Sequence, residues 1–306
     1  MRRRSPDFAL DGARGGVLDS YLVLVRPRIS AFVLFAAFTG ALLGAGPGAD
    51  LLEIALASLF VGLVGASSSV FNQVIERDSD RLMPRTRNRP LPAERMSVRD
   101  AVVFGAVLGV TGVAGLALVF QPLSALLALS TLATYVLVYT PLKRYTSFNT
   151  VVGALPGAMP PLLGFVATAG RPGPWGWLLF ALVFAWQFPH FFAIAWLYRE
   201  DYRRAGMRML PCLPGAAGLA GRQALLYSLV LLPVSLLPVV RGEAGLVYCG
   251  VALVLGLAYA LSSAAFAWRE TRFSARTLLF VSLLYLPLVF SAVLFDPVVS
   301  QALRNS

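Results

Sequence analysis

Residues 71–92, FNQVIERDSDRLMPRTRNRPLP, place a set of oxygen-bearing side chains directly ahead of a set of arginines. Asn72, Glu76 and Asp80 stand at i, i+4 and i+8, so on a helix they share one face. Hard oxygen donors on one face suit a divalent cation such as Mg²⁺. Arg85, Arg87 and Arg89 follow at once, and guanidinium groups grip phosphate oxygens through paired N–H donors. Together these residue types describe a metal–diphosphate site. A charged loop that merely caps a membrane helix would be basic too, for topological reasons alone. The spacing of the acids, and a second loop of acids and arginines further along, favour the site.

Such a site needs a scaffold, and the composition says which kind. Of 306 residues, 58% are hydrophobic and only 13% charged, and mean hydropathy is +0.72. A soluble domain needs more polar surface than this, so the chain reads as an all-α polytopic membrane protein. Nine apolar segments are long enough to span hydrocarbon, near 29–46, 51–73, 100–120, 122–140, 149–168, 177–197, 223–240, 246–267 and 277–295. With the N-terminus inside, only Arg171, Arg241 and Arg304 of the 26 basic residues fall outside, leaving 23 inside. Moving one span would scramble that division, so the expectation is N-terminus in and C-terminus out. The net charge of +11 is thereby placed by topology, and no nucleic-acid partner is implied. Asp7, Asp11 and Asp19 interrupt the N-terminus and Arg26 and Arg28 break its apolar run, so it does not read as a signal peptide. Residues 1–20 read as a flexible tail on the inner side, and 21–306 as one membrane domain. Cys212 in an inside loop and Cys249 in a span do not suggest a disulfide.

The loop after the sixth span, AWLYREDYRRAGMRMLP at 195–211, sets Glu200 and Asp201 among Arg199, Arg203 and Arg204. Two acidic, Arg-flanked loops on one membrane face could bracket a diphosphate through metal ions; the bland alternative is that these acids pair with their own arginines. A third inside loop, YTPLKRYTSFNT at 139–150, carries Lys143, the only lysine, beside Arg144. A compact ammonium suits a phosphate, and it also counts as one more topological charge. In the fifth span Gly153, Gly157 and Gly164 permit close backbone approach, and Pro156, Pro160 and Pro161 release carbonyls where a helix lines a cavity. His190, the only histidine, lies inside the sixth span about two turns from its inner end; it reads equally as a haem ligand, a base or a structural hydrogen-bond partner. Phe71, Tyr139, Phe148, Phe184, Trp186 and Phe188 cluster near these segments, as the lining of a prenyl tunnel with cation–π capacity or as an ordinary aromatic belt.

At this point the residues resemble those of a known family, the UbiA superfamily of intramembrane prenyltransferases, and within it the branch that farnesylates protoheme IX. The resemblance covers about residues 20–295. It rests on VRPRIS at 25–30, the 71–92 segment, YTPLKRYTSFNTVVGALPGAMPPLLGF at 139–165 and WQFPHFFAIAWLYREDYRRAGMRMLP at 186–211. The family's first Asp-rich motif, Asn-Asp-x-x-Asp-x-x-x-Asp, falls on Asn72, Gln73, Glu76 and Asp80. Glu76 keeps a carboxylate, whereas Gln73 drops a charge, which would shift metal work to Asp78. The second motif lands on Tyr198 and Tyr202, with Glu200 and Asp201 the acids nearby, and the haem branch shares that Tyr-rich form.

The resemblance implies nine helices around a central cavity, in a bacterial cytoplasmic membrane, with the active site facing the cytoplasm. It implies farnesyl diphosphate and haem b as substrates, Mg²⁺ as cofactor, and haem A synthase or cytochrome oxidase assembly factors as candidate partners. On it, Asn72, Glu76, Asp80, Lys143 and Asp201 carry the chemistry, with Asp78 and Glu200 as further metal ligands. Arg85, Arg89, Arg144, Asn149, His190, Tyr198, Tyr202 and Arg203 would bind substrate. A quinone-type prenyltransferase is the rival within the class, disfavoured by the 186–211 segment. A transporter of amphipathic anions would place ionisable residues at mid-bilayer, whereas here they gather at one surface. A non-catalytic haem-binding membrane protein would not need two acidic loops.

Overall fold

The structure, a computed structural model, describes residues 16–46 and 50–305. The expected tail is outside the described residues as far as residue 15, together with Arg2, Arg3, Arg4 and Arg14. From Val17 the chain is instead helical, forming α1 (Val17–Val25). The helices that follow are α2 (Pro27–Ala45), α3 (Leu51–Arg81), α4 (Val98–Val119) and α5 (Pro122–Ala133). A π-helical turn (Thr134–Tyr139) carries α5 into α6 (Thr140–Leu142). Then come α7 (Asn149–Ala169), α8 (Pro174–Leu197), the short α9 (Arg199–Arg204), α10 (Leu219–Val240), α11 (Leu246–Trp268), α12 (Arg272–Phe295) and α13 (Pro297–Asn305). Counting α5 to α6 as one rod, nine helices among the described residues are long and apolar enough to cross a membrane, and each overlaps one of the expected spans. The chain is an integral membrane protein on that ground.

Proline opens α2, α5 and α8, where its missing N–H is not needed. Asp50 and Ser97 accept backbone N–H groups at the starts of α3 and α4. The largest departure from the sequence reading is α3. Its apolar run ends near residue 73, yet the helix continues to Arg81, so the whole Asn72–Glu76–Asp80 face is helical.

Helices α2 and α7 form the seam of the molecule. One apolar core joins them to α3 and α5 through residues such as Ala37, Ile54, Val61, Ala128 and Leu163. A larger core joins them to α8, α10, α11 and α12. The seam depends on glycine at two crossings: a Cβ on Gly40 would overlap the Pro161 carbonyl, and one on Gly164 would overlap that of Ala37. Gly164 was expected in this role and Gly40 was not singled out. Despite its three prolines α7 stays one helix.

Two carboxylates tie helix ends together, and neither stands out in the sequence. Glu270 accepts the Trp196 indole N–H and the backbone N–H groups of Gly218 and Gly221, joining α8 to the start of α10. Asp296 is buried and accepts backbone N–H groups from Gly245, Tyr248 and Val298, at the starts of α11 and α13. Burial pushes the Asp296 carboxyl up, but these N–H donors outweigh it and hold it below the usual aspartate value.

Candidate functional site

The polar end of α3 extends beyond its apolar part and is covered by three other segments. Eight residues at 1.5 Å rise separate Asn72 from Asp80 by roughly 12 Å. All three side chains of the face are buried, and each is met by a partner of suitable chemistry. Asn72 accepts from Arg26 Nη2 at 3.2 Å and donates to Thr140 Oγ1 at 3.2 Å. Glu76 accepts from Lys143 Nζ at 2.8 Å. Asp80 accepts from Arg89 Nη1 at 2.8 Å.

Local structure explains each meeting. The chain reverses after α3 because Thr86 Oγ1 donates to the Asp80 carbonyl at 2.9 Å and Arg89 N–H donates to the Thr86 carbonyl at 2.9 Å. That turn returns Arg89 to Asp80. Lys143 follows the last turn of α6 and lies over the Tyr139 ring at 4.5 Å. Gly153 clears space for that ring. Arg26, between α1 and α2, adopts φ 50°, a left-handed conformation uncommon for a residue with a side chain. It holds Arg26 against Asn72 and within electrostatic reach of Arg89, with its Nε buried and without a hydrogen-bond partner.

The electrostatic balance is positive. Glu76 and Asp80 face Arg26, Arg85, Arg89 and Lys143. Burial, then the field of Arg26, pushes the Arg89 guanidinium down to about 10 against the pull of Asp80, and it remains a cation at neutral pH. Burial works against the Lys143 ammonium as well, but Glu76 and the neighbouring tyrosines outweigh it and hold Lys143 above the usual lysine value. Both cations are therefore permanent, and a further anion is the natural complement.

The second loop packs onto the first. Arg85 lies over the Tyr198 ring at 4.5 Å. Met83 packs with Ala195, Met207 and Met209, and Tyr202 lies against that cluster. Tyr202 and Glu76 are both within electrostatic reach of the Tyr139 hydroxyl. Arg208 N–H donates to the Lys143 carbonyl at 2.8 Å. On α9, Asp201 is half-buried, and among the described residues its carboxylate has no ion-pair partner.

Several expected residues stand elsewhere. Asp78 is two positions from Glu76 and so points to the opposite side of α3, where it is 65% exposed beside Arg77. It cannot replace the charge lost at Gln73 on the buried face. Gln73 itself turns toward α1 and donates to the Leu24 carbonyl at 2.7 Å. Glu200 is 63% exposed and pairs with Arg203 at 2.7 Å, as the bland reading of that loop supposes. Asn149 is buried and spends its amide N–H groups on the Thr146 and Arg208 carbonyls, clamping the start of α7 to the second loop. Arg144 is exposed and donates to Ser79 Oγ at 2.9 Å, at the edge of the site. Of the expected rings, Tyr139 is at the site; Phe188 stacks on Tyr227 at 3.8 Å within the helix packing, and Phe148 is exposed.

His190 is half-buried in α8, its Nδ1 2.7 Å from Ser282 Oγ on α12 and its ring stacked on Trp186 at 4.9 Å. The residues that the sequence reading did not select are Arg26, Thr86 and Thr140. VRPRIS contains Arg26, but nothing in its spacing shows that it bends back onto Asn72.

Among the described residues no three Asp, Glu, His or Cys side chains form a metal-binding group. Asn72, Glu76 and Asp80 are nonetheless the hard oxygen donors that Mg²⁺ takes, and its usual arrangement needs only one or two carboxylates, with phosphate oxygens and water as the other ligands.

This arrangement can be set beside known proteins. Residues 33–285 match the model of the UbiA prenyltransferase family. A protein of Solibacter usitatus (strain Ellin6076), called protoheme IX farnesyltransferase, is 41% identical over 288 residues, which cover 91% of this chain and 99% of that one. A solved structure of digeranylgeranylglyceryl phosphate synthase superposes with a TM-score of 0.76 at 19% identity, covering 92% of this chain and 99% of that one. A UbiA homologue from Archaeoglobus fulgidus, bound to GPP and Mg²⁺, gives a TM-score of 0.63 at 21% identity, with 90% and 99% covered.

Proposed function

Because the chain belongs to the UbiA prenyltransferase family, we propose that it transfers the farnesyl group of farnesyl diphosphate to a vinyl group of haem b, giving haem O and diphosphate. The observation that carries this reading is the excess of positive charge around the buried Asn72–Glu76–Asp80 face, at the polar end of α3. The acceptor follows the relatives called protoheme IX farnesyltransferase, which are about as long as this chain.

Asn72, Glu76 and Asp80 would hold Mg²⁺ together with the diphosphate. The bound ion supplies positive charge against the leaving diphosphate. Lys143 and Arg89 are already aimed at the carboxylates and Arg26 lies beside them, so these three can turn to diphosphate oxygens without entering from solvent, with the exposed Arg85 at the rim. Their fixed positive charge favours the state in which the C–O bond of the prenyl diphosphate breaks and negative charge grows on the leaving group. Asp201, on the facing loop, is the acid left to serve a second ion. Apolar helices keep water from the allylic cation until the vinyl carbon of haem attacks it. Water then captures the haem-side cation and loses a proton, which gives the hydroxyethylfarnesyl side chain.

We place the basic face, and with it the site, at the cytoplasmic side of a bacterial inner membrane, with the N-terminus in and the C-terminus out. Cysteines introduced at Arg87 and Arg204 should react with an impermeant thiol reagent only from the cytoplasmic side, and one at Gly173 only from outside. Labelling of position 204 in intact cells would reverse the orientation. The acceptor is tested with purified protein, farnesyl diphosphate and Mg²⁺, offered haem b or a quinone-ring acceptor. Prenylated product should form from haem alone; product from the quinone ring alone would refute the assignment.

A further inference from the structure

His190 has no part in the diphosphate site. It lies eight residues before Tyr198 on α8, which is roughly 12 Å deeper along the helix axis. Its surroundings assign the role of Nδ1. Ser282 Oγ is 2.6 Å from the Leu279 carbonyl, which can only accept, so the single hydroxyl hydrogen of Ser282 is committed there. The 2.7 Å contact between Ser282 Oγ and His190 Nδ1 must then take its hydrogen from the imidazole. Nδ1 is then the donor, and in the neutral ring the lone pair sits on Nε2.

That lone pair is unused. Among the described residues Nε2 has no hydrogen-bond partner, and it is not among the sealed polar atoms that lack one. An unpaired basic nitrogen that is accessible within a membrane-spanning helix is open to a ligand. Its ring is braced on one side: Trp186 stacks on His190 at 4.9 Å, and Phe32 of α2 stacks on Trp186 at 5.8 Å. Trp186 is itself fixed by its indole N–H, which donates to the Ser282 carbonyl at 2.8 Å. So one α12 residue orients both rings. An imidazole whose Nδ1–H is held by a fixed acceptor while Nε2 points free is the arrangement that metal-ligating histidines adopt.

We infer that His190 Nε2 is an axial ligand to the iron of the haem acceptor, with Trp186 and Phe32 bracing the imidazole ring and Ser282 as the positioning residue. The inference rests on the proposed haem reading. It gives that reading a fixed point: iron at the depth of His190 lets the macrocycle extend from there toward the diphosphate end of α8.

The test is spectroscopic. Purified protein is titrated with ferric haem b and, separately, with iron-free protoporphyrin IX. Wild type should give a Soret band and electron paramagnetic resonance spectrum of histidine-ligated haem. In His190→Ala that signature should be lost while protoporphyrin still binds as in wild type, which guards against a folding defect. His190→Cys should convert the spectrum to a thiolate type, and Ser282→Ala should weaken ferric haem binding roughly tenfold, the usual cost of removing a ligand's supporting hydrogen bond. Identical haem spectra for wild type and His190→Ala would overturn the ligation while leaving farnesyl transfer to haem intact. A protein that binds neither haem nor protoporphyrin and makes no farnesylated haem would overturn the reading beneath it, and the ligation with it.

Discussion

Asp80→Asn is expected to lower prenyl transfer by about a thousandfold or more while leaving the chain folded. Asp80 is 1% exposed and bonded to Arg89 at 2.8 Å. Asn keeps its volume and can still accept from Arg89, but it has no charge to offer a cation. Alanine would be a poorer test, since it leaves Arg89 facing a void, and breaking a buried pair from one side costs about 3–5 kcal/mol. Thermal unfolding in detergent and steady-state turnover with Mg²⁺ measure the two effects separately. Turnover near the wild-type rate in Asp80→Asn would remove Asp80 from the reaction.

The second large effect belongs to Glu76 and Lys143. Lys143→Met should cost about 3 kcal/mol of stability, because it strands a buried carboxylate, and it should lower turnover about a hundredfold by removing a permanent cation from the diphosphate. Lys143→Arg should not reach wild-type turnover: the guanidinium can still lie over the Tyr139 ring, but as a longer planar fork it does not supply the compact point charge of an ammonium where the diphosphate leaves. The double variant Glu76→Gln, Lys143→Met separates packing from chemistry. Stability should return toward wild type, since the charges are removed together, and activity should stay lost. Recovery of activity with stability would make the pair a structural bridge.

How far the sequence disclosed this site depended on range. Asn72, Glu76 and Asp80 could be placed on one face because helical periodicity is local, and the structure keeps them there, buried. The extension of α3 to Arg81 was less visible, because hydropathy fades where the helix turns polar; what sustains it is Lys143 and Arg89, which arrive from other segments. The nine spans were legible because hydrocarbon thickness and charge asymmetry constrain them independently. Long-range partners were not. Nothing in VRPRIS predicts that Arg26 takes a left-handed conformation and reaches Asn72, 46 residues away. Asn149 looks like a ligand in a polar loop, yet both its amide hydrogens are consumed by carbonyls, one of them on Arg208. Asp78 was selected for its charge, and the same periodicity that unites its neighbours turns it outward.

The central claim is that this charged end of α3 drives farnesylation of haem. Its most direct measurement is the mass spectrum of haems extracted from cells that express the wild-type chain, Asp80→Asn, or neither. A haem heavier than haem b by one farnesyl group and one hydroxyl group should appear with the wild-type chain and be absent from the other two. The same haems in all three samples, or the heavier haem persisting with Asp80→Asn, would contradict it.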